Sequence, residues 1–368
     1  MKICMIFNQA PKYVEAYYVL LDREFDVVWC FGSENGGIKD MDYTLLKDVR
    51  IYPTISNKLF YNLKGIDEIT RDTSIEAYII IGDFRLSSAW ILPYKIKIRN
   101  PKAKILFWTH GWYGRETFLK KIMKKVFFAP VDSILLYGNH AKKLMLQEGY
   151  KEDKLFVIHN SLNYPVQKKL RDSISRNGIY KEHFGNNNPV IIMIGRLNIR
   201  KNLHMLLEAI AILKTRGIEN NVTFIGDGED KGKLVKLSEE LRIDELVWFY
   251  GACYDEKQNA ELIYNADLCV VPGDIGLTAI HAMMFGCPCI THNYFPNHGP
   301  EFEAITEGQT GFFYNSGSID SLADTIEMWF NNHNDKREEV RASCYKEIDE
   351  NWTPEFELKV LKKALGLK

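Results

Sequence analysis

At 368 residues, the chain is long enough for two domains of ordinary size, each burying its own core. Hydrophobic residues make up 46% and charged residues 26%, the balance of a water-soluble globular protein, and no apolar run approaches the roughly 20 residues of a membrane span. A formal net charge of -1 argues against wholesale nucleic-acid binding. The seven cysteines are scattered, and Cys287-Pro-Cys289 lacks the spacing of a zinc or redox motif, so free thiols in a reducing cytosol are expected. Residues 1–7 read as a first strand and not a signal peptide, because polar Asn8 and Gln9 follow too soon.

In the first half, apolar runs at 2–7, 26–30, 77–82, 104–109, 133–138 and 155–159 read as strands, with helices at 13–21, 88–98, 116–128 and 141–148. Such alternation predicts a parallel, doubly wound sheet whose ligands lie at the carboxyl ends of its strands. Interest therefore falls on the segments 8–12, 82–85, 110–112 and 137–139. His110 follows a strand directly and stands beside Gly111, either as a structural hydrogen-bonder or as a ligand of the rim. On the 116–128 helix Lys120, Lys121, Lys124 and Lys125 share one face, while Leu119, Ile122, Met123 and Val126 share the other. Such a helix either lies on an anionic membrane surface or packs its apolar face on the sheet and leaves its lysines in water.

Residues 164–188 carry Pro165, Asn177-Gly178 and Gly185-Asn-Asn-Asn-Pro189, and read as the connection between domains. Strands then recur at 190–194, 222–226, 247–250, 268–271, 287–291 and 311–314, with helices at 203–215, 231–241, 258–265, 277–285 and 318–331 and a last one at 355–365. The stretch at 190–210 organises this half. A β-branched run ends at Gly195, and Leu203, Leu206, Leu207 and Ile210 then recur at helical spacing, with Asn202 where a side chain could cap the first amides. A helix N-terminus favours an anion, and Arg196 and Lys201 would add two full positive charges suited to a diphosphate. An ordinary turn with solvated basic residues fits the same stretch. Gly226-Asp227-Gly228 falls short of a dinucleotide fingerprint.

Taken together these residues resemble the large family 4 of retaining glycosyltransferases, with the GT-B fold. Gly195-Arg196-Leu197 with Lys201-Asn202 is similar to that family's donor-phosphate motif. Gly226-Asp227-Gly228 matches the next turn and Phe249-Tyr-Gly251 the strand end facing the nucleotide base. Ala266-Asp267-Leu-Cys-Val-Val-Pro272, Gly276-Leu277 with Thr278, Ala282-Met283, Gly286-Cys-Pro288 and Glu307-Gly-Gln-Thr-Gly311 follow in the family's order; His110 and Ile158-His-Asn160 are the local matches in the first half. The resemblance implies an α/β chain of two Rossmann-like doubly wound domains facing a central cleft. It assigns 1–170 to acceptor binding, with 353–368 packing back on it, 171–188 to a linker and 189–352 to nucleotide-sugar binding.

There are departures. Where the family has two glutamates, this sequence has His281 at the ribose-facing position and a shortened loop with Gly273 and Asp274 at the sugar-facing one. The glycine-rich loop after the first strand is replaced by residues 8–12, whereas Glu303 matches the family's Pro-Glu turn just past a polar loop at 292–301 that either holds sugar hydroxyls or is an ordered surface loop. The resemblance implies transfer of a hexose-like group, with retention, from a nucleoside diphosphate sugar to a hydroxyl of a glycan or lipid-linked glycan, without metal or other cofactor, with UDP favoured over GDP. Arg196, Lys201 and the helix start at Asn202 would stabilise the departing diphosphate, and His110 would hold the donor sugar. The implied setting is a cytoplasmic enzyme at the inner face of a membrane, building cell-surface polysaccharide such as capsule or lipopolysaccharide. A non-hydrolysing nucleotide-sugar epimerase and a degenerate binding subunit remain as alternatives.

Overall fold

The computed structural model describes residues 1–33, 39–333 and 335–367. They form two compact units, one of residues 1–164 with 352–368 and one of residues 165–351. In the first unit the strands are β1 (Lys2–Phe7), β2 (Asp26–Gly32), β3 (Asp48–Tyr52), the short β4 (Thr54–Ser56) and β5 (Tyr61–Leu63), β6 (Ala77–Ile81), β7 (Lys104–Thr109), β8 (Ser133–Leu136) and β9 (Leu155–Val157). All but the antiparallel β4–β5 pair lie in one parallel sheet of order β3-β2-β1-β6-β7-β8-β9. Strand pleating divides its core in two. Cys4, Ile6, Val28 and Ile80 pack on one face with Leu92, Ile96, Phe127 and Phe128, whereas Ile3, Met5, Phe7 and Trp29 pack on the other with Tyr17, Leu21, Leu358 and Leu361. The last two belong to the helix Pro354–Ala364, so the end of the chain completes the core of the first unit.

The second unit contains β10 (Val190–Ile194), β11 (Asn221–Ile225), β12 (Val247–Gly251), β13 (Leu268–Val270), β14 (Cys289–His292) and β15 (Gly311–Tyr314), all parallel in the order β12-β11-β10-β13-β14-β15. This is the doubly wound arrangement in which the chain leaves the first strand toward one edge and returns on its other side. Every residue of β10 is buried, as its unbroken run of Val, Ile and Met requires at the centre of such a sheet.

Three expectations need correcting. Residues 171–188 are not a bare connection: they carry the end of the helix Tyr164–Ser173 and the whole of Ile179–Phe184, inside the second unit. Arg171 is locked there by two 2.9 Å bonds to Asp349, and Tyr180 donates to the Leu262 carbonyl at 2.8 Å. The glycine and asparagine that looked like a linker serve a helix end, with Gly185 in the left-handed conformation after Phe184. Strands β3 to β5 and the helix Arg337–Asn351 escaped the pattern search because their residues are half exposed or lack a consistent apolar stripe.

The third correction concerns the lysine-rich helix, which spans Phe118–Phe128. Its apolar stripe does not pack on the sheet: Leu119 is 70% exposed and Ile122, Met123 and Val126 about half exposed. Phe127, Phe128 and one lysine, Lys124, turn inward instead. Lys124 donates to Glu116 and to the Gly111 carbonyl, both at 2.6 Å, and lies 4.8 Å from the centre of the Trp112 ring. Glu116 also accepts the amides of Tyr113 and Gly114. A buried ammonium with this many partners fixes how the helix is rolled, and so turns the hydrophobic side outward.

Candidate functional site

The switch point of the second sheet lies between β10 and β13, whose connections leave in opposite directions, and ligands of such sheets bind outside those two strand ends. The loop after β10 begins at Gly195, φ +133°, a conformation other residues rarely adopt, and ends in a tight turn at Ile199–Lys201. It is zipped to two neighbours. On one side Leu197 donates to the Asp227 carbonyl at 2.9 Å, and a Cβ on Gly226 or Gly228 would overlap the carbonyl of Gly195 or Leu197. These two glycines are therefore demanded by close backbone approach. Asp227 between them bonds the Gly228 amide and sits 3.3 Å from Lys231, which together hold its carboxyl below the usual range. Gly251, φ +96°, ends β12 and accepts the Gly226 amide at 2.8 Å.

On the other side the loop after β13 joins in. The amides of Gly273 and Asp274 donate to the carbonyls of Lys201 and Arg200, and Lys201 Nζ donates to the Asp274 carbonyl at 2.6 Å. Lys201 thus bridges the two loops of the switch point. Burial pulls its ammonium below the ordinary lysine range, opposed by the carboxylates of Asp274 and Glu301. Arg200 takes the Asp274 carboxylate at 2.7 and 3.0 Å, so that side chain is committed within the protein. Arg196 is exposed and has no hydrogen bond or ion pair among the described residues. An uncommitted cation and a half-buried ammonium in one loop are groups able to bind a phosphate-bearing ligand.

Asn202 does not cap the following helix with its side chain. It takes the left-handed conformation, φ +48°, after the tight turn, and the helix His204–Thr215 starts two residues later, with the Asn202 carbonyl accepting the Met205 amide. Gly276 and Leu277 lead into the helix Thr278–Met284, where the Thr278 hydroxyl donates to the Ile194 carbonyl at 3.1 Å and ties that helix to the end of β10. His281, one turn on, is 2.9 Å from Glu256, which also accepts from Gln167 at 2.8 Å. Burial pushes the Glu256 carboxyl up, but these bonds leave it below the ordinary glutamate value. Sequence reasoning missed Glu256, which brings from the start of another helix a carboxylate next to the position where 281 lacks one.

In the polar loop at 292–301 the two histidines are engaged within the protein. His298 receives the Ile275 amide on Nδ1 at 3.1 Å and contacts the His292 carbonyl through Nε2 at 2.8 Å, while His292 Nδ1 receives the Tyr294 amide. With both ring nitrogens of His298 engaged and its pKa pushed down to about 4 by burial, it is a neutral brace. Thr291 and Tyr314 bond the carbonyls of Val271 and Pro272, so the loop bearing Asp274 is held from behind at three points. The buried acid of this region is Glu301, beside Gly276 and Gly299, whereas Glu303 is half-buried in the turn Pro300–Ala304. Two acids two residues apart could not be told apart by spacing. In the first unit His110 is exposed just past β7, its ring 4.7 Å from Tyr137 and 5.9 Å from Tyr113.

Residues 177–347, most of the second unit, match the family described as glycosyl transferases group 1. An uncharacterized glycosyltransferase of Haemophilus influenzae is 22% identical over 299 residues, 77% of each chain. The capsular polysaccharide biosynthesis glycosyltransferase CapM of Staphylococcus aureus is also 22% identical, over 66% of this chain and 63% of its own. Among solved structures, the lipopolysaccharide outer core galactosyltransferase WaaB aligns over 100% of this chain and 99% of its own, with a TM-score of 0.73 at 18% identity. HepE of Anabaena, solved in complex with UDP, aligns over 100% of both chains, with a TM-score of 0.72 at 15% identity. The fold is that of the GT-B glycosyltransferases.

Proposed function

We propose that this chain, whose residues 177–347 match the glycosyl transferases group 1 family, moves a hexose-like group from a nucleoside diphosphate sugar to a hydroxyl of a glycan or lipid-linked glycan. The observation that carries this reading is the pair Arg196 and Lys201 at the β10–β13 switch point: one cation uncommitted, the other braced between two rigid loops. As the glycosidic bond breaks, negative charge grows on the leaving diphosphate. Positive groups already fixed where that charge develops lower the barrier without reorganising, and removing one costs ~10²–10³ in rate. The likeness to a capsular polysaccharide enzyme and to a lipopolysaccharide galactosyltransferase supports cell-surface polysaccharide synthesis as the setting, and UDP as the first nucleotide to try.

Retention at the anomeric carbon, which the family resemblance implies, requires no nucleophile from the protein. Attack by the acceptor on the face the diphosphate leaves needs only that both be held together. The exposed apolar stripe of Phe118–Phe128, edged by Lys120 and Lys125, supports attachment to an anionic membrane surface; no described helix is long and apolar enough to cross one. Incubation with a panel of nucleotide sugars and a lipid-linked acceptor tests the reading. Nucleoside diphosphate released only when acceptor is present supports transfer. Binding without turnover would make the chain a binding subunit, and a changed sugar without acceptor an epimerase.

A further inference from the structure

The first sheet has a switch point of its own, between β1 and β6, since the chain leaves β1 toward β2 and β3 and later returns on its other side. A cavity of about 100 Å³ opens there, bordered by Phe7 at the end of β1 and Ile81 at the end of β6. At roughly 15 Å³ for each water, it has room for about seven of them, the bulk of a single sugar ring. Its inner wall is polar and unsatisfied. Tyr17, Trp108 and Glu357 line it and are only 1%, 3% and 2% exposed. The Tyr17 hydroxyl, Trp108 Nε1 and Glu357 Oε1 have no hydrogen-bond partner among the described residues. Glu357 is brought to this wall by the closing helix Pro354–Ala364. Buried polar atoms are nearly always paired, so three unpaired ones around one cavity point to an occupant that pairs with them.

The charge of the wall limits what that occupant is. No lysine, arginine or histidine lines the cavity, and Glu357 is its one carboxyl. Burial holds this carboxyl well above the ordinary glutamate range, opposed only by Ser161 beside it, so it keeps its proton and both donates and accepts. An anion would meet no countercharge here, and a cation would meet no carboxylate. A hydroxyl, which gives one hydrogen bond and takes others, matches the carboxylic acid, the phenol and the indole N–H alike. The ring of Tyr137 and the side-chain amides of Asn8 and Gln9 complete a wall of mixed apolar and polar character. We propose that the cavity seats one uncharged sugar ring of the acceptor, its hydroxyls paired with Tyr17, Trp108 and Glu357. This rests on the glycosyl-transfer reading and adds to it the class of acceptor: a neutral sugar unit, with acidic sugars turned away for want of a cation.

The test uses the whole protein and saturation-transfer NMR with the methyl glycosides of glucose, galactose and mannose, each beside its matching uronic acid. Saturable binding of at least one neutral glycoside is expected, about tenfold tighter than its uronic acid. Glu357→Gln keeps a neutral group that donates and accepts, and is expected to bind within about twofold of the native protein. Glu357→Leu removes both functions and is expected to lose about tenfold. Tyr17→Phe deletes only the unpaired hydroxyl, and serves as the second variant should Glu357→Leu fail to fold. It is expected to weaken sugar binding about fivefold without lowering the thermal unfolding midpoint, because that hydroxyl pairs with nothing in the free protein. A purely structural hydroxyl would lower the midpoint and leave binding alone. The proposal is overturned by binding of no neutral glycoside, by a uronic acid bound as tightly, by Glu357→Gln as weak as Glu357→Leu, or by Tyr17→Phe as tight as native. Titration of the same preparation with UDP and GDP reports on the second unit alone. Nucleotide binding without sugar binding rejects the cavity and leaves glycosyl transfer standing, whereas sugar binding without nucleotide binding keeps the cavity and removes the transfer reading.

Discussion

At the scale of single residues, Arg196 and Lys201 differ in a way the sequence did not reveal. Both were legible as cations in a strand-to-helix turn, but only the structure shows that Lys201 is also a strut on the Asp274 carbonyl. Arg196→Ala is expected to weaken nucleoside diphosphate binding by about tenfold or more, the worth of a charge-assisted contact, with no change in the thermal unfolding midpoint. Lys201→Ala is expected to lose affinity and also to lower the midpoint, which differential scanning calorimetry separates. The departure at His281 has a physical meaning as well. His281→Glu, which would put a carboxylate where the family resemblance expects one, sets two acids face to face, the new one and Glu256. It is expected to cost about 1 kcal/mol in denaturant unfolding, and the exchange His281→Glu with Glu256→His is expected to recover most of that. An unchanged midpoint in the single variant would show that the pair does not exist in solution. Glu256 was invisible to spacing because it comes from a helix some 25 residues upstream, and only folding brings it alongside.

Among elements, most strands were legible because a parallel sheet buried on both faces demands unbroken apolar runs, as in β1, β7 and β10. The edge strand β3 and the β4–β5 pair have no such demand on them and so left no pattern. The loops of the site are rigid for reasons spread through the second unit, and His298 provides a test. Its folded pKa of about 4 lies below the ordinary histidine value near 6.5, so the unfolded chain binds the proton first as pH falls. The contribution of His298 is therefore intact above about pH 6.5 and is lost progressively between there and pH 4. NMR of the ring nitrogens is expected to show a single neutral tautomer protonated on Nε2 down to about pH 4.5. A titration midpoint near 6.5 would remove the brace. In the first unit the roll of Phe118–Phe128 depends on Lys124. Lys124→Met is expected to cost about 3 kcal/mol because it strips the buried Glu116 carboxylate of its countercharge.

For the whole molecule, the alternation of strands and helices was enough to give two doubly wound units, but not the boundary between them, since residues 165–188 belong to helices of the second unit. For the amphipathic helix, composition left two arrangements open. A lysine face opposite an apolar face normally packs apolar side inward, and here one lysine is taken into the interior in place of that stripe. The account rests on the second unit gripping a diphosphate at the β10–β13 switch point. Isothermal titration of the protein and of Arg196→Ala with UDP and GDP tests it most directly. The expected result is saturable binding of one nucleoside diphosphate at a single site, weakened at least tenfold in the variant and carried chiefly by the phosphates, so that the free nucleoside binds far more weakly. Equal affinity of native protein and variant, or nucleoside binding as tightly as its diphosphate, would contradict it.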